Sequence, residues 1–158
     1  MKKILFSTAL LLLGVTAFCQ QETNGTIYIK HPYIDVVMKA NKDYVNNDFS
    51  TVQNYYADTA KWWISGMEEF IPISNAVTMW KSDFDKFDDV KQTQVGYPDY
   101  FHYKKDDMKI VESYWIWSGT SKKTGKSLKT QMVMFDEFNK DGKIVREYIL
   151  GDFSKMNE

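Results

Sequence analysis

Tyr114-Trp115-Ile116-Trp117, Thr130-Gln131-Met132-Val133-Met134-Phe135 and Ile144-Val145-Arg146-Glu147-Tyr148-Ile149-Leu150 decide the fold of this chain. Two turn sequences separate them: Lys122-Lys123-Thr124-Gly125 and Lys140-Asp141-Gly142-Lys143. β-branched and aromatic residues bounded by Gly-containing turns read as strands. An Asp-Gly pair between two such runs is a strong hairpin signal. The last third of the chain is therefore two linked β-hairpins. Large apolar side chains fall on both faces of these strands. Such a sheet needs cover on both faces, from a helix, a ligand cavity or a partner subunit.

Strand parity turns this into a testable register. A tight turn at Asp141-Gly142 sets Lys140 against Lys143, Met134 against Ile149 and Asp136 against Glu147. The companion hairpin sets Trp115 against Met132. Face one then carries Trp115, Trp117, Met132, Met134, Glu147 and Ile149. Face two carries Tyr114, Ile116, Val133, Phe135, Tyr148 and Leu150. A slip of one residue in the first hairpin would exchange the tryptophans between faces.

Outward from the hairpins, the chain of 158 residues has the length of one domain. Residues 1–19 read as a signal peptide: Lys2 and Lys3, an apolar run from Ile4 to Leu13, and Ala17-Phe18-Cys19 before Gln20. The run is short of the roughly 20 residues that span a bilayer. Cleavage after Cys19 gives an exported chain, periplasmic or secreted. Lipidation of Cys19 is the alternative, disfavoured by Phe18 before it. The mature chain would then hold no cysteine, hence no disulfide and no thiolate chemistry. It would carry a formal charge of −3, from −1 for the whole chain less Lys2 and Lys3. That balance excludes a typical nucleic-acid partner. Arg146 is the only arginine, which argues against a bidentate clamp for anionic substrates. Nothing after residue 19 anchors the chain in a membrane.

Residues 20–30 read as a loose polar lead-in. His31-Pro32 opens a helix, Pro being suited to the first turn. Apolar residues at Ile34, Val37, Met38, Tyr44, Val45, Phe49, Val52, Tyr55 and Tyr56 give it a helical stripe. Asn46-Asn47-Asp48 breaks it in two, with Asp48 as a cap for the second piece. Lys61-Trp62-Trp63-Ile64 reads as a strand. Ser74 is a cap for a further helix with Val77, Trp80, Phe84 and Phe87 on its stripe. Val90 to Val95 and Met108 to Thr120 read as strands, with a turn at Gly96-Tyr97-Pro98-Asp99. Residues 154–158 form a polar tail. Helices followed by an antiparallel sheet make an α+β layout.

This order, with Tyr55-Tyr56-Ala57-Asp58-Thr59-Ala60, Asn75-Ala76-Val77, Trp117-Ser118-Gly119-Thr120 and the Phe138–Ile144 hairpin, resembles the NTF2-like superfamily and its SnoaL-like, polyketide cyclase-like members. The resemblance covers residues 31–153. It implies a cone: N-terminal helices packed on a curved antiparallel sheet that encloses a pocket. It also implies a range of roles, from isomerases, cyclases and dehydratases to non-catalytic binders. The His-Trp-Asp type pattern of some SnoaL-like final strands is missing from Val145-Arg146-Glu147-Tyr148-Ile149. Tyr44 and Asp99 invite comparison with the ketosteroid-isomerase branch, but no local motif aligns them.

Face one is the candidate pocket lining, because aromatics, adaptable methionines and one acid suit a small-molecule site. Its residues are Trp115, Trp117, Met132, Met134 and Ile149, joined by Trp63 of the earlier strand. Ordinary core under the helix is the competing reading. Glu147 is the candidate general base, since burial beside tryptophans raises a carboxyl toward neutrality. Tyr44 and His102 are candidate proton donors, imidazoles ordinarily titrating near neutral pH. His31 reads as structural. Two separate histidines make no metal site. No P-loop or dinucleotide glycine motif calls for a cofactor. The expectation is an exported domain binding a small, largely apolar molecule, non-catalytic, and dimeric through face two. The alternative is a cofactor-free isomerase, cyclase or dehydratase working on a carbonyl compound.

Overall fold

The turn at Asp141-Gly142 sets the register of the last hairpin, in a computed structural model that describes residues 22–157. Gly142 takes φ 75°, the left-handed conformation that closes a three-residue loop. Asn139 Oδ1 accepts hydrogen bonds from the Asp141 and Lys143 amides. The turn is wider than the sequence suggests: Phe138 faces Ile144, so Lys140 does not face Lys143. A bulge between Glu137 and Phe138 absorbs the extra residue. Beyond it the expected pairs hold, Asp136 with Glu147 and Met134 with Ile149. Trp115 faces Met132 as read.

Among the described residues, eight strands form one sheet. They are β1 (Gly25–Tyr28), β2 (Tyr56–Ile64), β3 (Ile71–Pro72), β4 (Phe87–Gln94), β5 (Asp99–Tyr103), β6 (Lys109–Ser121), β7 (Ser127–Phe138) and β8 (Ile144–Gly151). Their order is β1-β5-β6-β7-β8-β2-β3, with β4 also paired to β6. The long β6 thus takes β5 along its first half and β4 along its second. The sheet is mixed rather than wholly antiparallel, because β2 runs parallel to β8. Three helices cover it: α1 (Pro32–Val45), α2 (Val52–Tyr55) and α3 (Ile73–Lys86).

Several local expectations shift. The leader at residues 1–19 lies outside the described residues. The lead-in is not loose throughout, because Gly25–Tyr28 pairs antiparallel with β5. β2 starts at Tyr56, not Lys61. His31 caps α1 through Nδ1, which accepts from the Tyr33 amide, and its ring stacks on Tyr100 at 3.8 Å. Asp48 caps no helix; it accepts from Ser50 in a short turn, and Thr51 precedes α2. α3 starts after Pro72, one residue before Ser74 could cap it, and Ile73 and Ala76 are its buried residues. Phe87 is the first residue of β4. The tail forms a 3-10 turn over Ser154–Asn157, and Met156 packs against the core.

The core lies between face one and the helices. Ile34 and Val37 of α1, Ala76 of α3, and Trp62, Trp115, Trp117, Met132, Met134, Ile144 and Ile149 of the sheet are all buried. Face two is left partly open: Tyr114 is 36% and Leu150 45% exposed.

Candidate functional site

Parity places Asp136 and Glu147 on the same side as the tryptophans and methionines, and their pairing sets them side by side. Both are buried, at 1% and 2% exposure. Glu147 is held by β2, the parallel neighbour of its strand. Tyr56 donates its hydroxyl to Oε2, and the Trp62 indole N–H donates to Oε1 at 2.9 Å. Asp136 lies close enough to hydrogen-bond it as well.

Two adjacent buried carboxyls cannot both ionise without a large penalty. Burial pushes Asp136 well above the usual carboxylate range, and the neighbouring Glu147 charge pushes it further. Burial also raises Glu147, but Tyr56, Asp136 and Trp62 hold it back by donating to it. The pair therefore carries one negative charge, on Glu147, and one proton, on Asp136. That proton faces Glu147, and the Oδ2 oxygen of Asp136 has no hydrogen-bond partner among the described residues. Burial and the Glu147 charge raise the Tyr56 phenol, so it stays a donor.

This pair lies in the wall of a cavity of about 330 Å³. α1, α2 and α3 form its other side. Trp62, Trp80, Trp117, Met132, Met134 and Ile149 give it an apolar interior. Trp80 of α3 is central, with ring centroids 5.9 Å from Tyr56, 6.0 Å from Trp62 and 6.5 Å from Tyr44. Asn41 and Gln92 turn their amides toward the Met134 sulfur.

A second polar chain crosses the cavity wall. The Trp117 indole donates to the Tyr44 hydroxyl at 2.9 Å, and Tyr44 donates to Asp83 Oδ2 at 2.9 Å. Burial raises the Asp83 carboxyl to about 6, against the pull of Tyr44 and Lys86. Burial, then the Asp83 charge, raises Tyr44 and keeps it protonated. Nearby, Asp43 accepts from Tyr55 and Thr51 at 2.7 Å each, and these donors hold it below its usual value.

The structure brings together Glu147, Tyr44, Trp117, Met132, Met134 and Ile149 of the sequence-based candidates. Trp115 shares their face and is buried, but its indole bonds Ser113 Oγ and it does not line the cavity. Trp63 is a correction: β2 parity points Trp62 inward, while the Trp63 indole bonds the Met67 carbonyl. His102 is a second correction. It lies on β5 outside the lining, paired at 2.6 Å with the exposed Asp107. Sequence reasoning did not single out Tyr56, Trp62, Asp83 or Asp136 as site residues. For Asp136 the parity of β7 was a sufficient signal. For Tyr56 and Trp62 none existed, since no turn anchors β2 beside β8. Among the described residues no three His, Cys, Asp or Glu side chains group as a metal site. No described helix is long and apolar enough to cross a membrane.

No protein-family model matches the chain, and no curated protein does. Solved structures do. Wild-type IdmH from Streptomyces antibioticus, a proposed polyketide cyclase, superposes with TM-score 0.63 at 17% identity, over 80% of this chain and 96% of that one. An NTF2-like protein of unknown function from Exiguobacterium sp. 255-15 gives 0.55 at 21% identity, over 76% and 94%. A proposed SnoaL-like polyketide cyclase from Shewanella denitrificans OS-217 gives 0.59 at 10% identity, over 81% and 96%. The chain shares the NTF2-like fold of these structures. Similarity at these identities is one of fold, and function is argued from the site.

Proposed function

We propose that this chain is an exported NTF2-like domain that binds a small, largely apolar molecule in its cavity without transforming it. One observation carries the reading: a cavity of about 330 Å³, walled by tryptophans and methionines, with a half-protonated carboxyl pair in its wall. Such a wall buries apolar surface and offers a few fixed polar contacts. A general base needs an oxygen free to face the substrate's proton. Both oxygens of Glu147 are occupied, by Tyr56 and Trp62. That favours binding over catalysis. The second copy of a homodimer would cover the apolar residues of face two.

The second reading is a cofactor-free acid-base enzyme acting on a carbonyl compound. The shared proton favours it, because a carboxyl pair of this kind can donate and accept. Glu147 would be the base once Tyr56 or Asp136 yields to substrate, with Tyr44 as donor. Native mass spectrometry of the chain from Gln20, purified from its own source, tests the first reading. A reproducible small-molecule adduct is expected. A bare protein that also takes up no apolar fluorophore would end the binding proposal. If the adduct's mass changes on incubation in wild type but not in Glu147→Gln, the enzyme reading replaces it.

A further inference from the structure

The cavity wall has an unusual charge for an apolar site. Five carboxyl side chains line it, Asp43, Asp48, Asp83, Asp136 and Glu147, against the one cation of Lys86 and no arginine or histidine. The carboxyls are spread around it. Glu147 and Asp136 come from β8 and β7, Asp83 from α3, Asp43 from α1. Aromatic rings lie between them: Trp80 has neighbouring ring centroids at Tyr44, Phe49, Tyr56 and Trp62, all within 6.5 Å. Tryptophan and tyrosine faces attract cations, and more strongly where water is excluded.

We infer that the cavity is built for an organic amine, a protonated nitrogen carrying an apolar body. This rests on the binding reading above and names its ligand class. A neutral ligand filling the cavity would strip water from the Asp83 carboxylate, whose second oxygen has no protein donor among the described residues, and return nothing for it. An anion would add a like charge. An ammonium compensates the wall's excess charge while its hydrocarbon lies on Met132, Met134 and Ile149. Asp83 is the anchor. Tyr44 takes one of its oxygens, and the other accepts no hydrogen bond among the described residues. Asp136, buried and short of a donor at Oδ2, is an independent sign that the wall is under-supplied with donors. The fold already seats an ammonium on one lining ring: Lys81 Nζ lies 6.0 Å over Phe49. Lys86 is the counterweight, but it is exposed, and its long stem can carry its charge into solvent.

Three probes of matched size test this: 2-phenylethylamine, 2-phenylethanol and phenylacetate, titrated at pH 7 and read by tryptophan fluorescence and calorimetry. The amine is expected to bind about tenfold or more tightly than the alcohol, with phenylacetate weakest. Asp83→Asn keeps an acceptor for Tyr44 and is expected to cost the amine about tenfold while leaving the alcohol unchanged. Equal affinity for amine and alcohol, preference for phenylacetate, or an Asp83→Asn variant with unchanged amine affinity would overturn the amine inference and leave cavity binding standing. If no probe binds up to millimolar concentration, both fall together.

Discussion

Asp83 and Asp136 give the molecule an acid-side stability profile that can be read variant by variant. Both carboxyls are raised in the folded chain, so the native state holds protons that the unfolded chain releases. Their stabilising share is complete below about pH 4 and is lost as pH rises through the folded value. For Asp83 that window runs from the ordinary carboxyl value of 3.8 to about 6. The stability of wild type relative to Asp83→Asn is expected to fall by about 2 kcal/mol between pH 4 and 6 and to level off above about pH 7. Urea unfolding of both proteins at several pH values checks this, and a flat difference would contradict it. For Asp136 the fall continues to higher pH. Asp136→Asn supplies an N–H where the proton sits and is expected to fold at pH 7 with little loss. Glu147→Ala is expected to cost about 3–5 kcal/mol, because Tyr56, Trp62 and Asp136 would all lose their acceptor in a buried site. Melting temperatures of the two variants measure the contrast; equal losses would mean that the pair does not share a proton.

At the scale of elements, what was legible depended on turns. Asp141-Gly142 marks the turn, and because the bulge at Glu137–Phe138 offsets its extra residue, the expected pairing of Asp136 with Glu147 and the inward face hold. β2 had no such anchor. Its partner is the strand at the far end of the chain, and parallel pairing needs no local turn. Trp62 and Trp63 were therefore indistinguishable by pattern, and Tyr56 read as the end of a helical stripe. His102 reads as available for chemistry because it lies near a turn and imidazoles ordinarily titrate near neutral pH, but β5 lies between β1 and the first half of β6, away from the cavity. The lead-in carries no strand signal in sequence because Gly25 to Tyr28, a short strand of mixed residues, has no alternating stripe. Its attachment can be tested at Gly25. A Cβ there would sit 2.3 Å from the His102 carbonyl oxygen, a backbone atom that cannot move aside cheaply. Gly25→Ala is expected to detach β1, seen as fast amide exchange at Ile27 and Tyr28 with the β6–β8 amides still protected. Unchanged protection in β1 would refute the pairing.

For the molecule as a whole, face two raises the question of assembly. Phe135 and Tyr148 stack there at 4.7 Å, Tyr114 and Leu150 are exposed beside them, and Arg146 pairs with Glu137 at the margin. A second copy laid on this face is expected to give a dimer in sedimentation at micromolar concentration, and Leu150→Lys a monomer with its cavity intact. A monomeric wild type would refute the assembly. The parallel β2–β8 pair has one more consequence, for the order in which the chain is made. Tyr56 and Trp62 meet Glu147 across 91 and 85 residues of sequence. Contacts so distant along the chain slow folding. Until residues 144–151 have left the ribosome, β2 has no β8 to pair with and Trp62 no carboxylate. A nascent chain stopped short of Ile144 would display that tryptophan-rich stretch to any chaperone, and the cavity would be the last part of the protein to come into being.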